Sequence, residues 1–324
     1  MKPQIRPAGL TCVKCACERH TYRGGMDSFS VLAGDAHPAL ARRIAGLAGA
    51  TLVPATLSAF ADGETRARIE GEVRDADLYI VQPTSPPVNE RLVALALLAD
   101  AARAAGAARV TAVMPYFGYA RQDVRKQPGE PRSAQMAARI LECAGIERLV
   151  ALELHSPALD SAFRIPLVHL EADEAALPLL RAWRLPAPVV VSPDAGGLKR
   201  AQRYASALAS PLAVVAKTRP QPDAAAALAV LGEVRGRQCL IVDDLASTGG
   251  TIAAAAQALR GAGAAAVHAF FVHAVMAPGA LERIKAAGVQ RIATTDSVAA
   301  QGDGLERAEV APVLARAHAR LAGR

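Results

Sequence analysis

The residues with the clearest chemical purpose form one loop, Asp243 to Thr251. It follows an apolar, strand-like run and leads into an Ala-rich helical run that begins near Ile252. The loop supplies hydroxyl groups and two glycines, which are Ser247, Thr248, Gly249, Gly250 and Thr251. Hydroxyls, backbone N–H groups that approach closely at glycine, and the positive end of a helix dipole all favour a bound anion. The pattern therefore predicts a site for a terminal phosphate.

Two acidic residues, Asp243 and Asp244, stand at the start of this loop. Their carboxylates are placed to accept hydrogen bonds from adjacent ribose hydroxyls or to hold a magnesium ion. The phosphate loop and the acid pair together predict a site for a 5-phosphorylated ribose. A structural alternative stays open, in which the Ser and Thr hydroxyls only cap the following helix and the two acids form an ordinary turn.

The elements that must position this loop alternate between short β-branched runs and longer Ala-, Leu- and Arg-rich runs of helical period, a pattern typical of βαβ units. In the first half the expected strands are Ser30–Ala33, Thr51–Val53, Leu78–Gln82, Val110–Met114 and Leu149–Leu152. In the second half they are Val189–Ser192, Leu212–Ala216, Leu240–Asp243, Val267–His273 and Arg291–Thr294. Nearly all polar motifs follow the carboxyl ends of these strands, where open α/β sheets bind ligands.

The two halves are similar, which predicts an α/β chain made of two copies of one open-sheet fold. We place the first domain at residues 26–171 and the second at 172–324, with the boundary near Glu171. Residues 1–25 lack periodicity and are expected to form a disordered tail. The tail has enough ligands for one zinc ion, but structural zinc sites usually separate two ligand pairs by a longer stretch, so we expect no metal there. Its candidate ligands are Cys12, Cys15, Cys17 and His20.

The composition of the 324 residues, 52% hydrophobic but only 4% aromatic, predicts cores packed from small aliphatic side chains. The longest apolar runs fall well short of the roughly 20 residues that a membrane span needs, so we expect a cytoplasmic protein without a membrane helix. The net charge of +7 suits anionic ligands, but no stripe of basic and aromatic residues predicts nucleic-acid binding. Cys143 and Cys239 lie in apolar runs and are expected to be buried thiols.

The phosphate loop by itself resembles the 5-phosphoribosyl-diphosphate-binding signature of type I phosphoribosyltransferases. Further segments resemble the ribose-phosphate pyrophosphokinase family in family order, over roughly residues 29 to 320. They are Phe60–Glu64, Pro115–Asp123, Glu153–Ser156, Ser192–Arg200 and Lys217–Pro220. The resemblance implies two tandem type I phosphoribosyltransferase-like domains, each a mostly parallel sheet flanked by helices. It also implies transfer of the β,γ-diphosphoryl group of ATP to the anomeric hydroxyl of ribose 5-phosphate, with release of AMP.

The resemblance assigns nucleotide binding to two segments. Arg121 and Gln122 would clamp the triphosphate and hydrogen-bond adenine, since Arg offers a fork of donors and Gln both a donor and an acceptor. The loop that carries Phe60, Asp62 and Glu64 would frame the nucleotide across a subunit interface, which implies a homo-oligomer, either a dimer or a hexamer. Taken alone, Arg121 has the alternative of a solvated surface charge, and the other loop that of a polar turn.

The resemblance also assigns the metal and catalytic residues. His155 would lie beside an ATP-bound Mg²⁺, and Asp194 would bind a metal and the sugar. Lys217 and Arg219 would neutralise charge as AMP departs, which is what phosphoryl transfer requires. Without the resemblance, a structural histidine, a turn-forming Asp and exposed basic residues remain the alternatives.

The sequence departs from the family pattern at several positions. Common members have Asp where Glu153 and Ser247 stand, and usually an acid near Ala216; the segment from Val124 to Arg132 also differs, which leaves allosteric control open. Two other functions therefore stay open. One is a nucleobase phosphoribosyltransferase, which would leave Arg121, Gln122 and His155 unused, and the other is a non-catalytic regulatory subunit.

Overall fold

The computed structural model describes residues 29–218, 227–299 and 304–321. The tail at residues 1–25, with its candidate zinc ligands, and Arg219 lie outside the described residues. The strands are β1 (Ser30–Ala33), β2 (Thr51–Val53), β3 (Ala55–Ala59), β4 (Thr65–Ile69), β5 (Asp77–Val81), β6 (Arg109–Met114), β7 (Arg148–Leu152), β8 (Leu167–Leu170), β9 (Val189–Ser192), β10 (Leu212–Thr218), β11 (Ala227–Leu231), β12 (Gln238–Ala246), β13 (Ala266–Ala274), β14 (Val289–Thr295) and β15 (Glu306–Ala308). The helices are α1 (Pro38–Ala48), α2 (Val88–Ala104), α3 (Ser133–Cys143), α4 (Asp173–Ala182), α5 (Leu198–Ala207), α6 (Gly250–Gly261), α7 (Ala280–Ala286), α8 (Ala311–Ala315) and α9 (Ala317–Leu321), and a 3₁₀ helix covers Pro157–Ala162.

Two mainly parallel sheets organise these elements. The first has the order β2-β1-β5-β6-β7-β8 and is parallel throughout. The second has the order β11-β10-β9-β12-β13-β14-β15 and is parallel except for the antiparallel pair β10 and β11. Central strands such as β9 and β12 are almost wholly buried, because helices cover both faces of each sheet. The predicted fold class is confirmed.

One hydrophobic core is shared by both sheets. It joins Val31 and Tyr79 of the first sheet to Val190 and Phe270 of the second. Separate cores cover the other faces, the first under α2 and α3 and the second under α6 and α7. Apolar packing between the two sheets therefore helps to fix how their polar ends face each other.

The ten predicted strands all form, with ends shifted by a few residues at most. The prediction missed β3, β4, β8, β11 and β15. β3 and β4 pair only with each other, and their alternate residues are exposed, so they lack the continuous apolar run that marked the buried strands. β15 has three residues, two of them charged, and joins the sheet by pairing with β14. Such strands depend on a neighbour rather than on their own hydrophobicity.

The two expected buried thiols differ. Cys239 is buried in β12, and burial raises its pKa to about 11. The prediction for Cys143 is wrong, because this last residue of α3 lies on the outer side of the helix and is exposed. Of the helices that the structure describes, none combines the length and the apolar character needed to cross a bilayer.

Helix α1 offers a test of this backbone description. Gly46 lies inside the helix, and a Cβ there would meet nothing within 4 Å. We expect Gly46→Ala to stabilise the protein by about 0.5–1 kcal/mol, because alanine loses less backbone entropy in a helix. The midpoint of chemical denaturation measures the change.

The matched control is Gly49→Ala at the C-cap of the same helix. This position is equally open, but its φ of 64° is left-handed. Alanine there should cost about 1–2 kcal/mol. A shift in the same direction for both variants would contradict the assigned end of α1.

Candidate active site

A cavity of about 230 Å³ opens where the polar ends of the two sheets meet. The loop after β12 forms one wall, and Arg121 and His155 from the first half of the chain form part of the other. The cavity gathers most of the predicted functional residues, namely Arg121, His155, Asp194, Asp243, Asp244, Ser247, Thr248, Gly249, Gly250 and Thr251. Residues that lie far apart in the sequence thus converge, because parallel strands bring their carboxyl ends to one edge.

The phosphate loop owes its shape to Gly249. This residue has φ 72° and is the N-cap of α6, where a Cβ would lie 2.7 Å from the Ala280 carbonyl oxygen. Only glycine fits such a position. The other side of the loop is held where Arg283 Nη1 donates to the Thr248 carbonyl at 3.1 Å. The first turn of α6 therefore presents backbone N–H groups toward the cavity, as an anion site requires.

The hydroxyl groups of the loop cap the N-terminus of α6 only weakly. Thr248 Oγ1 accepts from Gly250 N at 3.5 Å, at the outer limit of a hydrogen bond, and the N-cap itself has no side chain. This geometry favours the anion-binding interpretation over the capping alternative.

The carboxyl groups of the acid pair are both buried, but their pKa values shift in opposite directions. Asp243 and Asp244 expose 8% and 5% of their surface. Burial, together with the neighbouring charge of Asp244, raises the pKa of Asp243 well above its usual value. Burial alone would also raise the pKa of Asp244, but the hydrogen bond from His155 and the Arg200 guanidinium outweigh it and lower that pKa. Asp244 is therefore the more readily ionised of the two carboxyl groups.

His155 reaches this pair from the first sheet. Its Nδ1 donates to Asp244 Oδ2 at 2.6 Å, and this bond raises the pKa of His155. The loop that carries it is anchored on both sides: Leu154 N donates to His169 Nε2 at 3.0 Å, and Ser156 Oγ donates to Asp123 Oδ2 at 2.7 Å. The histidine predicted to be functional is thus fixed against an acid of the other half.

Arg121 and Gln122, both predicted to bind the nucleotide, have different surroundings in the turn after β6. Their turn packs tightly, since Gly118 N donates to Thr84 Oγ1 at 2.7 Å and a Cβ on Gly118 would lie 2.6 Å from the Thr84 carbonyl oxygen. Arg121 is exposed and lines the cavity. Gln122 instead accepts a hydrogen bond from Ser133 Oγ at 2.6 Å at the start of α3 and is not among the lining residues.

Asp194 lines the cavity from the turn after β9. Its Oδ1 accepts from Gly197 N at 2.9 Å, and its carbonyl accepts from Ser192 Oγ at 2.7 Å. Among the described residues, no group of three or more His, Cys, Asp or Glu side chains could hold a metal on its own. The donors present still suit Mg²⁺, which is usually held by one or two carboxylates and completes its shell with water and substrate phosphates.

The hairpin residues predicted to bind the nucleotide do not line this cavity within one chain. Phe60, Asp62 and Glu64 form the turn between β3 and β4, where Glu64 N donates to Asp62 Oδ1 at 3.1 Å. All three are exposed, Phe60 by 52%. Lys217 lies near the end of β10, and its side chain, like the whole of Arg219, is outside what the structure describes.

Two residues near the site carried no predicted role. Lys126 lines the cavity from the segment that departs from the family pattern. Arg200 is buried beside the acid pair, with Nη1 at 3.5 Å from Asp244 Oδ1 and 3.7 Å from Asp243 Oδ1. It stands at the end of the family-like segment Ser192–Arg200, but the sequence contains no signal that this Arg is buried.

Comparison with known proteins agrees with this arrangement. Residues 29–145 match the N-terminal domain of ribose phosphate pyrophosphokinase, and residues 162–306 match the phosphoribosyl transferase domain. The ribose-phosphate pyrophosphokinase of Burkholderia pseudomallei is 39% identical over 280 residues, which are 86% of this chain and 88% of that protein. The enzyme of the same name from Bacillus caldolyticus is 37% identical over 286 residues, 87% of this chain and 91% of that protein.

A solved structure extends the likeness to three dimensions. Phosphoribosylpyrophosphate synthetase from Mycobacterium smegmatis superposes with a TM-score of 0.84 and 31% sequence identity. The match covers 92% of this chain and 100% of that one. Because the identity extends over most of both partners and the fold is the same, this chain belongs to the ribose-phosphate pyrophosphokinase family.

Proposed function

We propose that the protein transfers the β,γ-diphosphoryl group of ATP to O1 of ribose 5-phosphate and so forms 5-phosphoribosyl 1-diphosphate and AMP. The observation that carries the proposal is the convergence of two unlike walls on one cavity. A phosphate loop and an acid pair come from the second sheet, and Arg121 and His155 come from the first. A site for one substrate alone would not need the second wall.

The sugar phosphate binds on the second sheet. The N–H groups and hydroxyls of residues 247–251 bind the 5-phosphate, while Asp243 and Asp244 accept hydrogen bonds from ring hydroxyls. Ser247 adds a neutral hydroxyl where common relatives have Asp, and a hydroxyl donor is compatible with a phosphate.

The nucleotide binds on the first sheet. Arg121 holds the triphosphate. Among the residues that the structure describes, Ser133 donates to the side-chain oxygen of Gln122 and none accepts from its side-chain nitrogen, so this nitrogen is available to donate. Phe60, Asp62 and Glu64 are exposed on their hairpin, so in this proposal they complete the nucleotide site of a neighbouring copy. A homo-oligomer, either a dimer or a hexamer, follows.

In the transfer step the O1 hydroxyl attacks the β-phosphorus in line, and the bond from this phosphorus to the oxygen shared with the α-phosphorus breaks. AMP leaves with the electron pair of that bond, and the proton of O1 passes to solvent. Lys217 and Arg219 neutralise the charge that develops as AMP departs. His155 and Asp194 would hold a bound Mg²⁺, which would supply charge neutralisation along the triphosphate.

The domain limits belong to the same proposal, with residues 26–171 as the nucleotide side and 172–324 as the ribose 5-phosphate side. Support comes from the first sheet, which ends with β8 at Leu170. A cytoplasmic location is also proposed, since both substrates are highly charged metabolites that do not cross membranes unaided.

Product analysis tests the reaction itself. Purified protein should release AMP from ATP only when ribose 5-phosphate and Mg²⁺ are both present. Release of diphosphate that depends on an added nucleobase would instead indicate a phosphoribosyltransferase. Stable association with an active relative, with no turnover by the protein alone, would indicate a regulatory subunit.

Lys217→Ala tests the catalytic assignment on β10. If the ammonium acts mainly on the transition state, kcat should fall by about 10²-fold or more with little change in the KM for ATP. Steady-state kinetics measure both constants, and Lys285→Ala on the exposed side of α7 serves as the control. An unchanged kcat in the Lys217 variant would remove this residue from the mechanism.

Gly249→Ala tests the phosphate loop. The added Cβ would press on the Ala280 carbonyl and distort the first turn of α6, so the KM for ribose 5-phosphate should rise by roughly 10-fold or more, the loss of about 1.4 kcal/mol of binding. Gly279→Ala is the matched control, because that glycine also has a positive φ but is open and lies outside the cavity. Equal effects of the two variants on this KM would argue against the loop as the phosphate site.

A further inference from the structure

Glu153 is an unusual residue beside the cavity. It directly follows β7, has a φ of 43°, and is only 4% exposed. A left-handed conformation is costly for a residue with a side chain and persists only where the surroundings enforce it. The residue does not line the cavity of the proposed substrates. The small void beside it, of about 10 Å³, holds at most about one water molecule.

Its carboxylate is directed at two guanidinium groups of helix α5. Arg200 Nε donates to Glu153 Oε1 at 2.9 Å. Arg203 Nη2 donates to Oε1 at 2.9 Å and to Oε2 at 3.0 Å, and Ala172 N donates to Oε2 at 3.0 Å. The backbone is held as well, because His273 Nε2 donates to the Glu153 carbonyl at 3.2 Å. Every oxygen of Glu153 therefore has a donor.

Arg200 lies between this carboxylate and the acid pair, Asp243 and Asp244. One edge of its guanidinium bonds Glu153 at 2.9 Å, while Nη1 stays 3.5 Å from Asp244 and 3.7 Å from Asp243. A direct bond between an Arg and a carboxylate is normally about 2.7–2.9 Å. The short hydrogen bond of Arg200 thus goes to Glu153. Asp243 and Asp244 lie near its positive charge but form no short hydrogen bond with it. Asp244 Oδ2 is already bonded to His155 and Asp243 Oδ1 to Asp244 N, so Asp244 Oδ1 and Asp243 Oδ2 are the oxygens that stay available to a ligand.

We propose that Glu153 is a positioning residue for ribose 5-phosphate: it holds Arg200 back from Asp243 and Asp244 so that both acids can accept hydrogen bonds from the sugar. The inference rests on the proposed function, because it assigns the sugar to that acid pair. Glu153 comes from the first sheet, whereas Arg200 and both acids come from the second half of the chain. A residue of the domain proposed to bind the nucleotide therefore positions the side chains of the sugar site in the other domain.

Loss of the Glu153 charge has a definite structural consequence. Arg200 is buried, and a buried guanidinium must find an anionic partner. Without Glu153 the nearest acids are Asp244 and Asp243, so Arg200 would close onto them and compete with the sugar hydroxyls. Arg203 retains Asp173, which accepts from its Nε at 3.0 Å, and has less reason to move.

The test compares Glu153→Gln with Glu153→Asp. The Gln variant should raise the KM for ribose 5-phosphate by about 10-fold or more, in line with the effect of losing an outer-shell partner. The KM for ATP should change much less. The Asp variant keeps the charge and should recover most of the affinity for the sugar. A purely structural role would lower the melting temperature without separating the two substrates.

Glu306→Gln is the matched control for the loss of a carboxylate that binds Arg. Glu306 accepts from Arg291 Nε at 3.0 Å and from Nη2 at 2.9 Å, and it lies outside the cavity. Its loss should lower stability and leave both KM values unchanged. If the Glu153→Gln protein does not fold, Arg200→Lys decides, because a lysine cannot span Glu153 and the acid pair. That variant should also raise the KM for ribose 5-phosphate.

Calorimetric titration with ribose 5-phosphate alone separates this inference from the proposed reaction. No binding to the unmodified protein would refute the proposed function. Equal binding to the unmodified protein and to a folded Glu153→Gln variant would overturn the positioning role and leave the function intact. Wild-type kinetics in folded Arg200→Lys would overturn it as well.

Discussion

Buried charge between the two sheets is the constraint on which the rest of this structure depends. Arg200 is largely removed from water and faces three carboxylates, those of Glu153, Asp243 and Asp244. Burying an ion costs several kcal/mol unless partners satisfy it, and removing one partner leaves the others unbalanced. The two halves of the chain must therefore dock with the polar ends of their sheets in register. The apolar core shared by both sheets supplies the stabilisation that this polar cluster does not.

The same constraint explains why the site is placed where the sheets meet. His155 comes from the first half and lies 2.6 Å from Asp244 of the second, although 89 positions separate them in the chain. Ser156 bonds Asp123, so the turn proposed to hold the nucleotide is tied to the loop whose histidine contacts Asp244. Group transfer between two bound substrates requires their reacting atoms to be held close together, and these contacts provide a rigid frame for that.

Much of the architecture could be predicted because it is encoded locally. The buried strands were recognised from continuous β-branched runs, since a strand covered on both faces is apolar along its whole length. Strands such as β3, β4 and β15 were missed because their stability comes from pairing, not from their own residues. Cys143 was misjudged for a related reason, since an apolar run does not reveal which side of a helix faces outward.

By itself, the sequence determined the phosphate loop. The order of strand, acids, hydroxyls, glycines and helix leaves few backbone conformations, and Gly249 adopts the left-handed φ that such a turn needs. Only the tertiary structure decided which distant side chains meet that loop. It set Arg200 against Glu153 rather than in solvent, engaged Gln122 with Ser133, and left Phe60 exposed on its hairpin. The physical reason is that these contacts depend on how the two sheets dock, and docking is decided by packing across the whole interface, which no short stretch of residues contains.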